Sequence, residues 1–293
     1  MAQTRITRTD SRTGRFYDIP NPDGSVSRYP SVTTILAAIA KPALVGWAAK
    51  EERLMVSEAA ADLHAEVRQP LPRAAYLLAL EQRLGKTKAH VKALAKAGEI
   101  GTACHHKIEW TLKRALGLPV GPEPLVPEAA LWAFMAWEDW AKAVQLRPQF
   151  IEQTVFSRTH EYAGTMDLLA TLDAAALLRL LEQQGAVDAT VGDWLRARTE
   201  VTALVDFKTG KSIYGEAMLQ SVAYQRALAE MGHGRADGGL IVRLPKVTTD
   251  PGFQVAVVPP ARELFPTFCA VRALWSWTYA EECAYQAKRK AVA

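Results

Sequence analysis

Asp206 and Lys208, in the run Val205-Asp206-Phe207-Lys208-Thr209-Gly210, are the residues whose types and spacing best suit chemistry. On a β-strand they project to one face while Phe207 points into the opposite layer. A carboxylate beside an ammonium can serve hydrolysis: the acid holds a hard cation, and the lysine orients or helps deprotonate an attacking water. The same tripeptide also suits a surface ion pair. Upstream, Asp167 sits between Met166 and Leu168 in Tyr162-Ala163-Gly164-Thr165-Met166-Asp167, an apolar strand where a solvated charge has no evident use. A partly buried carboxylate needs a partner, and a cation shared with Asp206 would supply one. A turn-capping aspartate, or a pairing with Lys208 alone, are the alternatives.

Further upstream, Gly101-Thr102-Ala103-Cys104-His105-His106-Lys107-Ile108-Glu109 reads as the start of a helix with Thr102 as N-cap. His105 and Glu109, four residues apart, share a helix face and can act as a metal ligand and its supporting acceptor. Cys104-His105-His106 suggests zinc, but neighbours on a helix diverge by about 100° and do not converge on one ion. Downstream, Glu216, Gln220 and Tyr224 recur every four residues on a helix that follows the Asp206 strand. Gln220 would there bond a phosphate oxygen or hold Lys208; a solvated helix face is the alternative.

The elements that must position these residues are readable in outline. Residues 1–30 alternate around Asp23-Gly24 as a small hairpin. From Ser31 to about Gln145 the spacing is helical, in segments separated by Pro70, Pro72, Gly98 and the loop GLPVGPEPLVP. After Pro148 the period drops to two: FIEQTVFS and YAGTMDLLATLD read as strands joined by a turn at Thr159-His160-Glu161. A helical polar stretch, the strand VTALVDFKTG, an amphipathic helix, the strands GGLIVRL and FQVAVV, and a final helix with Trp275, Trp277 and Tyr279 follow. The expected fold is mixed α/β, with a hairpin and helical region over 1–146 and a core over 147–293 that carries a helical insertion at about 174–200.

Composition narrows the classes. Apolar residues make up 49% and charged residues 23%, which is globular usage and not disorder. The net charge of +4 permits a polyanionic partner without requiring one. The 3 cysteines, Cys104, Cys269 and Cys283, are too few and too scattered for a disulfide framework or a four-thiolate cluster. The first residues lack the apolar segment of a secretory signal, and Lys41-Pro42 interrupts the most apolar early stretch, so a cytoplasmic protein is expected. Between Gln82 and Gly98 the charges are all basic, and Lys88, Lys92 and Lys96 step by four along one helix face, an array suited to a phosphate backbone or simply to solvent. Lys211 and the run Lys288-Arg289-Lys290 are further candidates.

Taken in order, GTACHHKIE, GTMD, DFK and QSVAY resemble the PD-(D/E)XK nuclease superfamily, and within it the RecB-type exonuclease branch that includes the mitochondrial genome maintenance exonuclease and phage and bacterial relatives. YPSVTTIL is similar to the start of that branch. The resemblance implies a restriction-endonuclease-like sheet flanked by helices and a Mg²⁺-dependent deoxyribonuclease, with Mn²⁺ substituting. It implies that His105, Asp167, Asp206 and the Phe207 carbonyl are metal ligands, that Lys208 is the catalytic lysine, and that Gln220 and Tyr224 position DNA or the lysine. The expected substrate is DNA with single-stranded or frayed ends, in bacterial or phage recombination, repair or replication. An endonuclease of the same chemistry and a catalytically silent DNA-binding recombination module are the alternatives. Iron–sulfur variants of the superfamily are excluded by the cysteine count. Ala174 to Glu200 separate the Asp167 and Asp206 strands where the family pattern has a short turn.

Overall fold

A computed structural model of the chain describes residues 6–11, 13–247, 249–258 and 264–292, with side chains to residue 284. The described part is mixed α/β, and no helix in it is long and apolar enough to cross a membrane. The side chains of Lys288, Arg289 and Lys290 lie outside the described residues.

The chain opens with β1 (Thr7–Ser11), β2 (Gly14–Pro20) and β3 (Val26–Pro30), an antiparallel three-stranded sheet in the order β1-β2-β3. The expected hairpin is its β2–β3 half: Asn21 N–H donates to Ser25 O across a turn where Gly24 has φ 85°. Ser31 caps the short helix α1 (Val32–Leu36) by accepting from Thr34 N–H at 3.0 Å. Helices α2 (Pro42–Glu66) and α3 (Arg73–Leu84) are parted by the Pro70–Pro72 stretch. Next come α4 (Ala89–Ala115), α5 (Glu128–Ala143), β4 (Arg147–Ser157), β5 (Tyr162–Asp173), α6 (Ala174–Gln183), α7 (Ala189–Arg196) and β6 (Glu200–Lys208). The chain continues through α8 (Gly215–Glu230), β7 (Gly238–Arg243), β8 (Gln254–Val258) and α9 (Leu264–Val292).

Two expectations need correction. Thr102 does not cap a helix, because α4 runs unbroken from Ala89, and neither Gly98 nor Gly101 interrupts it. A helix-interior glycine costs only about 1 kcal/mol relative to alanine, and the flanking Ala, Lys and Leu residues favour the helix enough to carry it through. The chain also does not part near residue 146. Residues Met1–Ile39 and Ala103–Ala293 form one compact unit, and Ala40–Thr102 form another.

The smaller unit is thinly packed: α3 buries no residue, and Arg83 makes ion pairs with Glu66 and Asp62. The larger unit holds the second sheet, in the order β4-β5-β6-β7-β8. Every pairing in it is antiparallel except β6–β7, which is parallel and has α8 as its crossover. A parallel pair needs such a long connection, so α8 is held directly against the strand that precedes it. Met166, Leu169 and Leu204 from the sheet, with Leu219, Ala223 and Tyr224 from α8 and Phe268 from α9, share one buried cluster. The stretch Ala174 to Glu200 is the helical pair α6–α7, with Asp173 and Asp188 as N-caps accepting from Ala176 N–H and Val191 N–H. Trp137 and Trp140 of α5 are buried, whereas Trp132 and Met135 are exposed.

Candidate functional site

β5 pairs with β6 only as far as Leu168 opposite Val205. Two residues further on, Phe207 directs both main-chain groups at the vacated edge, since in an antiparallel pair one residue's N–H and C=O face the same neighbour. Side chains take up that edge. The Phe207 N–H donates to Asp167 Oδ2 at 2.8 Å, and the Phe207 carbonyl lies 3.1 Å from His105 Nε2. His105 Nδ1 is 3.5 Å from Asp167 Oδ1. Two residues distant in sequence thus fill the place of a strand, and they bring together a carboxylate, an imidazole and a main-chain carbonyl.

On β6, Asp206 is buried at 2% exposure. Lys208 Nζ is 2.6 Å from its Oδ2, yet that oxygen accepts no well-directed hydrogen bond and is otherwise unpartnered. Gln220, from the first half of α8, ties the pair together: its amide donates to Asp206 Oδ1 at 2.9 Å, and its carbonyl accepts from Lys208 Nζ at 3.2 Å. Tyr224 lies one turn further, with its hydroxyl 3.5 Å from the Gln220 amide. Of the two roles open to Gln220, the structure shows the hold on Lys208.

Charge is finely opposed here. Burial pushes Asp167 upward, but His105 overcomes it, helped by Lys208 and the Phe207 N–H, and holds the carboxyl below its usual value. Burial raises Asp206 above the usual range despite the neighbouring Lys208, and Asp167 adds to the rise. Burial works against the charged form of Lys208, but Asp206 and Asp167 outweigh it and keep the ammonium above its ordinary value. The same contest at His105 ends with Asp167 prevailing over burial, which lifts the imidazole to about 9.

The donor set suits a hard divalent cation. Carboxylates and a carbonyl suit Mg²⁺ or Mn²⁺, and the single imidazole leans toward Mn²⁺. Asp206 Oδ2, buried and met only by the Lys208 ammonium at 2.6 Å, is an atom that a cation could share. Among the described residues, His105, Asp167 and also Glu152 offer ligand atoms that all lie within 4.8 Å of one another.

Glu152, on β4, is the residue that the sequence reading missed. It stands in an apolar strand with φ 49°, a conformation rarely adopted by a residue other than glycine. Burial, with Asp167 adding to it, pushes its carboxyl up to about 7. An acid within FIEQTVFS was the available signal, but its facing Asp167 depends on strand register.

Other candidates stand apart. Glu109 bonds to Lys113 on its own helix, and both ring nitrogens of His105 are engaged elsewhere, so Glu109 is not its acceptor. Cys104 is fully buried with its thiol pushed up to about 12, chiefly by burial, and His106 is exposed, so these neighbours diverge from His105. Lys211 is exposed in the loop after β6, and Lys88, Lys92 and Lys96 are exposed in the smaller unit. No family model matches the chain, and no curated protein matches it.

Proposed function

We propose that the protein is a Mg²⁺- or Mn²⁺-dependent deoxyribonuclease of the PD-(D/E)XK kind, built on a restriction-endonuclease-like sheet and acting on single-stranded or frayed DNA ends. One observation carries the reading: Gln220 binds Asp206 and Lys208 at once, while Asp167 and His105 occupy the Phe207 edge of the same strand. A surface ion pair needs neither the burial nor the bridge.

The bound cation would be held by Asp167, Asp206 and the Phe207 carbonyl with His105, and would polarise the phosphate and acidify a water. Each residue has a task that follows from its contacts. Lys208, with its ammonium 2.6 Å from Asp206 Oδ2, is placed to orient water and steady phosphate charge. Gln220 fixes the direction of that ammonium through its carbonyl. The Phe207 N–H locks the rotamer of Asp167, leaving Oδ1 turned toward His105. Water adds to phosphorus, the bond to the leaving deoxyribose oxygen breaks, and the products are a phosphate monoester and a hydroxyl.

The test is digestion of end-labelled linear single-stranded DNA beside its circular form, with Mg²⁺, with Mn²⁺ and with chelator. Loss of label from the linear strand alone, only with metal, is the expected result. Cutting of the circle would make it an endonuclease. Absence of cleavage with either metal, on any end, would overturn the reading.

A further inference from the structure

β6 and β7 run parallel and stop together, with Lys208 opposite Arg243, so the chain leaves both strands at the end of the sheet that carries Asp206 and Lys208. Ligands of open α/β sheets lie outside such carboxyl ends. The Leu244 N–H then donates to the Lys208 carbonyl at 2.7 Å, which ties the chain after β7 directly to Lys208. Lys246 is two residues on, at most roughly 7 Å further along the chain.

A buried cation fixes this stretch. Arg243 is 1% exposed, an expensive place for a guanidinium unless its donors are matched. It donates to Gly210 O at 3.1 Å and to Pro251 O at 3.2 Å, and it pairs with Asp250 Oδ2 at 3.2 Å. The same carboxylate oxygen accepts from the Lys246 N–H at 3.1 Å. The clasp therefore holds the Lys246 backbone close to the chain that leaves β6. Its side chain is half-buried, within electrostatic reach of Asp250 and Cys104, and Cys104 is within reach of Asp167. Lys246 thus flanks the metal ligands without being one of them. A cation drawn partly out of water gains when an anion comes to it. At this remove from Asp167 and Asp206, that anion is not the phosphate being cut but its neighbour.

We propose that Lys246 binds the phosphate adjacent to the scissile one and so fixes the register of the DNA strand across the metal site. Phosphate contacts set register in this way without reading sequence. The proposal rests on the nuclease reading and deepens it, adding a second point at which the strand is held.

Cleavage of short single strands, each carrying one neutral methylphosphonate at a different position, tests this with Mg²⁺ present. In the wild type, neutralising the phosphate beside the cut should raise KM about tenfold and leave kcat within about twofold, as for a contact kept alike in ground and transition states. Lys246→Gln should show that rise on the unmodified strand, lose about 0.7 from the salt slope, and be indifferent to the methylphosphonate at that one position. Lys246→Arg should restore the wild-type pattern. A Lys246→Gln protein as sensitive there as the wild type would overturn the contact. So would a wild type indifferent to neutral positions on both sides of the cut, a measurement that needs no variant to fold. Neither result touches the nuclease reading. Its failure shows instead as an unmodified strand left intact with Mg²⁺ and with Mn²⁺, and the proposal falls with it.

Discussion

Gly164 is the seat of the Tyr224 ring: a Cβ at position 164 would lie 2.4 Å from Tyr224 Cε1 and 2.8 Å from its hydroxyl oxygen. The ring is buried and cannot swing away freely, and its hydroxyl neighbours the Gln220 amide that holds Asp206. Gly164→Ala should therefore cost about 1–3 kcal/mol by overpacking. It should also lower turnover, because the displaced ring pushes on Gln220. Thermal melting and single-turnover cleavage check this, and wild-type values in both would show that the ring has room to yield.

Asp206→Asn should separate activity from stability. Burial disfavours the Asp206 charge and Asp167 sharpens the conflict, so a neutral amide there relieves the folded state. Without divalent cation the variant should melt at or above the wild-type temperature, by up to a few degrees. Cleavage should fall by at least about 100-fold, and Lys208→Ala should match that loss while leaving metal affinity nearly unchanged. A clear drop in melting temperature of Asp206→Asn would mean that the carboxylate is mainly a structural ion-pair partner.

Glu230 should set part of the acid limit of the fold. From the end of α8 it accepts from Ser157 Oγ at 2.6 Å, Arg158 N–H at 2.8 Å and Thr159 N–H at 2.9 Å, clasping the β4–β5 turn. Burial opposes the charge, but these donors win and depress its pKa. A depressed carboxyl gives stability that is present above its unfolded value, near 4.3, and lost as pH falls through the folded one. Glu230→Gln should lose up to about 1 kcal/mol at pH 7, a small figure because the carboxyl is exposed, and the two unfolding curves should converge as pH falls below the depressed folded value. Parallel curves across that window would remove Glu230 from the account.

Lys88, Lys92 and Lys96 are exposed at four-residue steps, on or just before the start of α4. If they track a phosphate backbone, replacing all three with Gln should flatten the slope of log affinity against log salt by up to about 2 units on single-stranded DNA. Turnover at saturating DNA should hardly change, since the lost contacts bind ground and transition states alike. An unaltered slope would show these lysines to be solvated only.

Local pattern carried the Asp206 strand and its helix into view. Alternation placed Asp206 and Lys208 together, and a four-residue step placed Gln220 and Tyr224 on one helix face, which is the geometry found. Asp167 announced itself as a charge out of place in an apolar strand. Glu152 did not, because its meaning comes from register with β5 and from a backbone angle, neither of which a short window encodes. The early start of α4 was hidden by Gly98, which reads as a break, and by Thr102, which reads as a cap, but a long helix runs through both. The acceptor role expected of Glu109 failed for a similar reason: Lys113, also four residues away, competes for it on the same helix.

The α6–α7 pair interrupts what would otherwise be a plain hairpin, and its position limits what it can disturb. It leaves the sheet where Asp173 pairs with Glu200, whereas Asp167 and Asp206 lie six residues back along their strands, roughly 20 Å away at about 3.3 Å per residue. Each helix carries its own aspartate cap, while Gln184, at the end of α6, bonds to Phe253 O and Val255 N–H at the start of β8. For anyone wishing to watch this protein work, the turn at 185–187 is a natural attachment point. A fluorophore, an affinity handle or relocated chain ends placed there would ride on the molecule while the carboxylates keep their geometry.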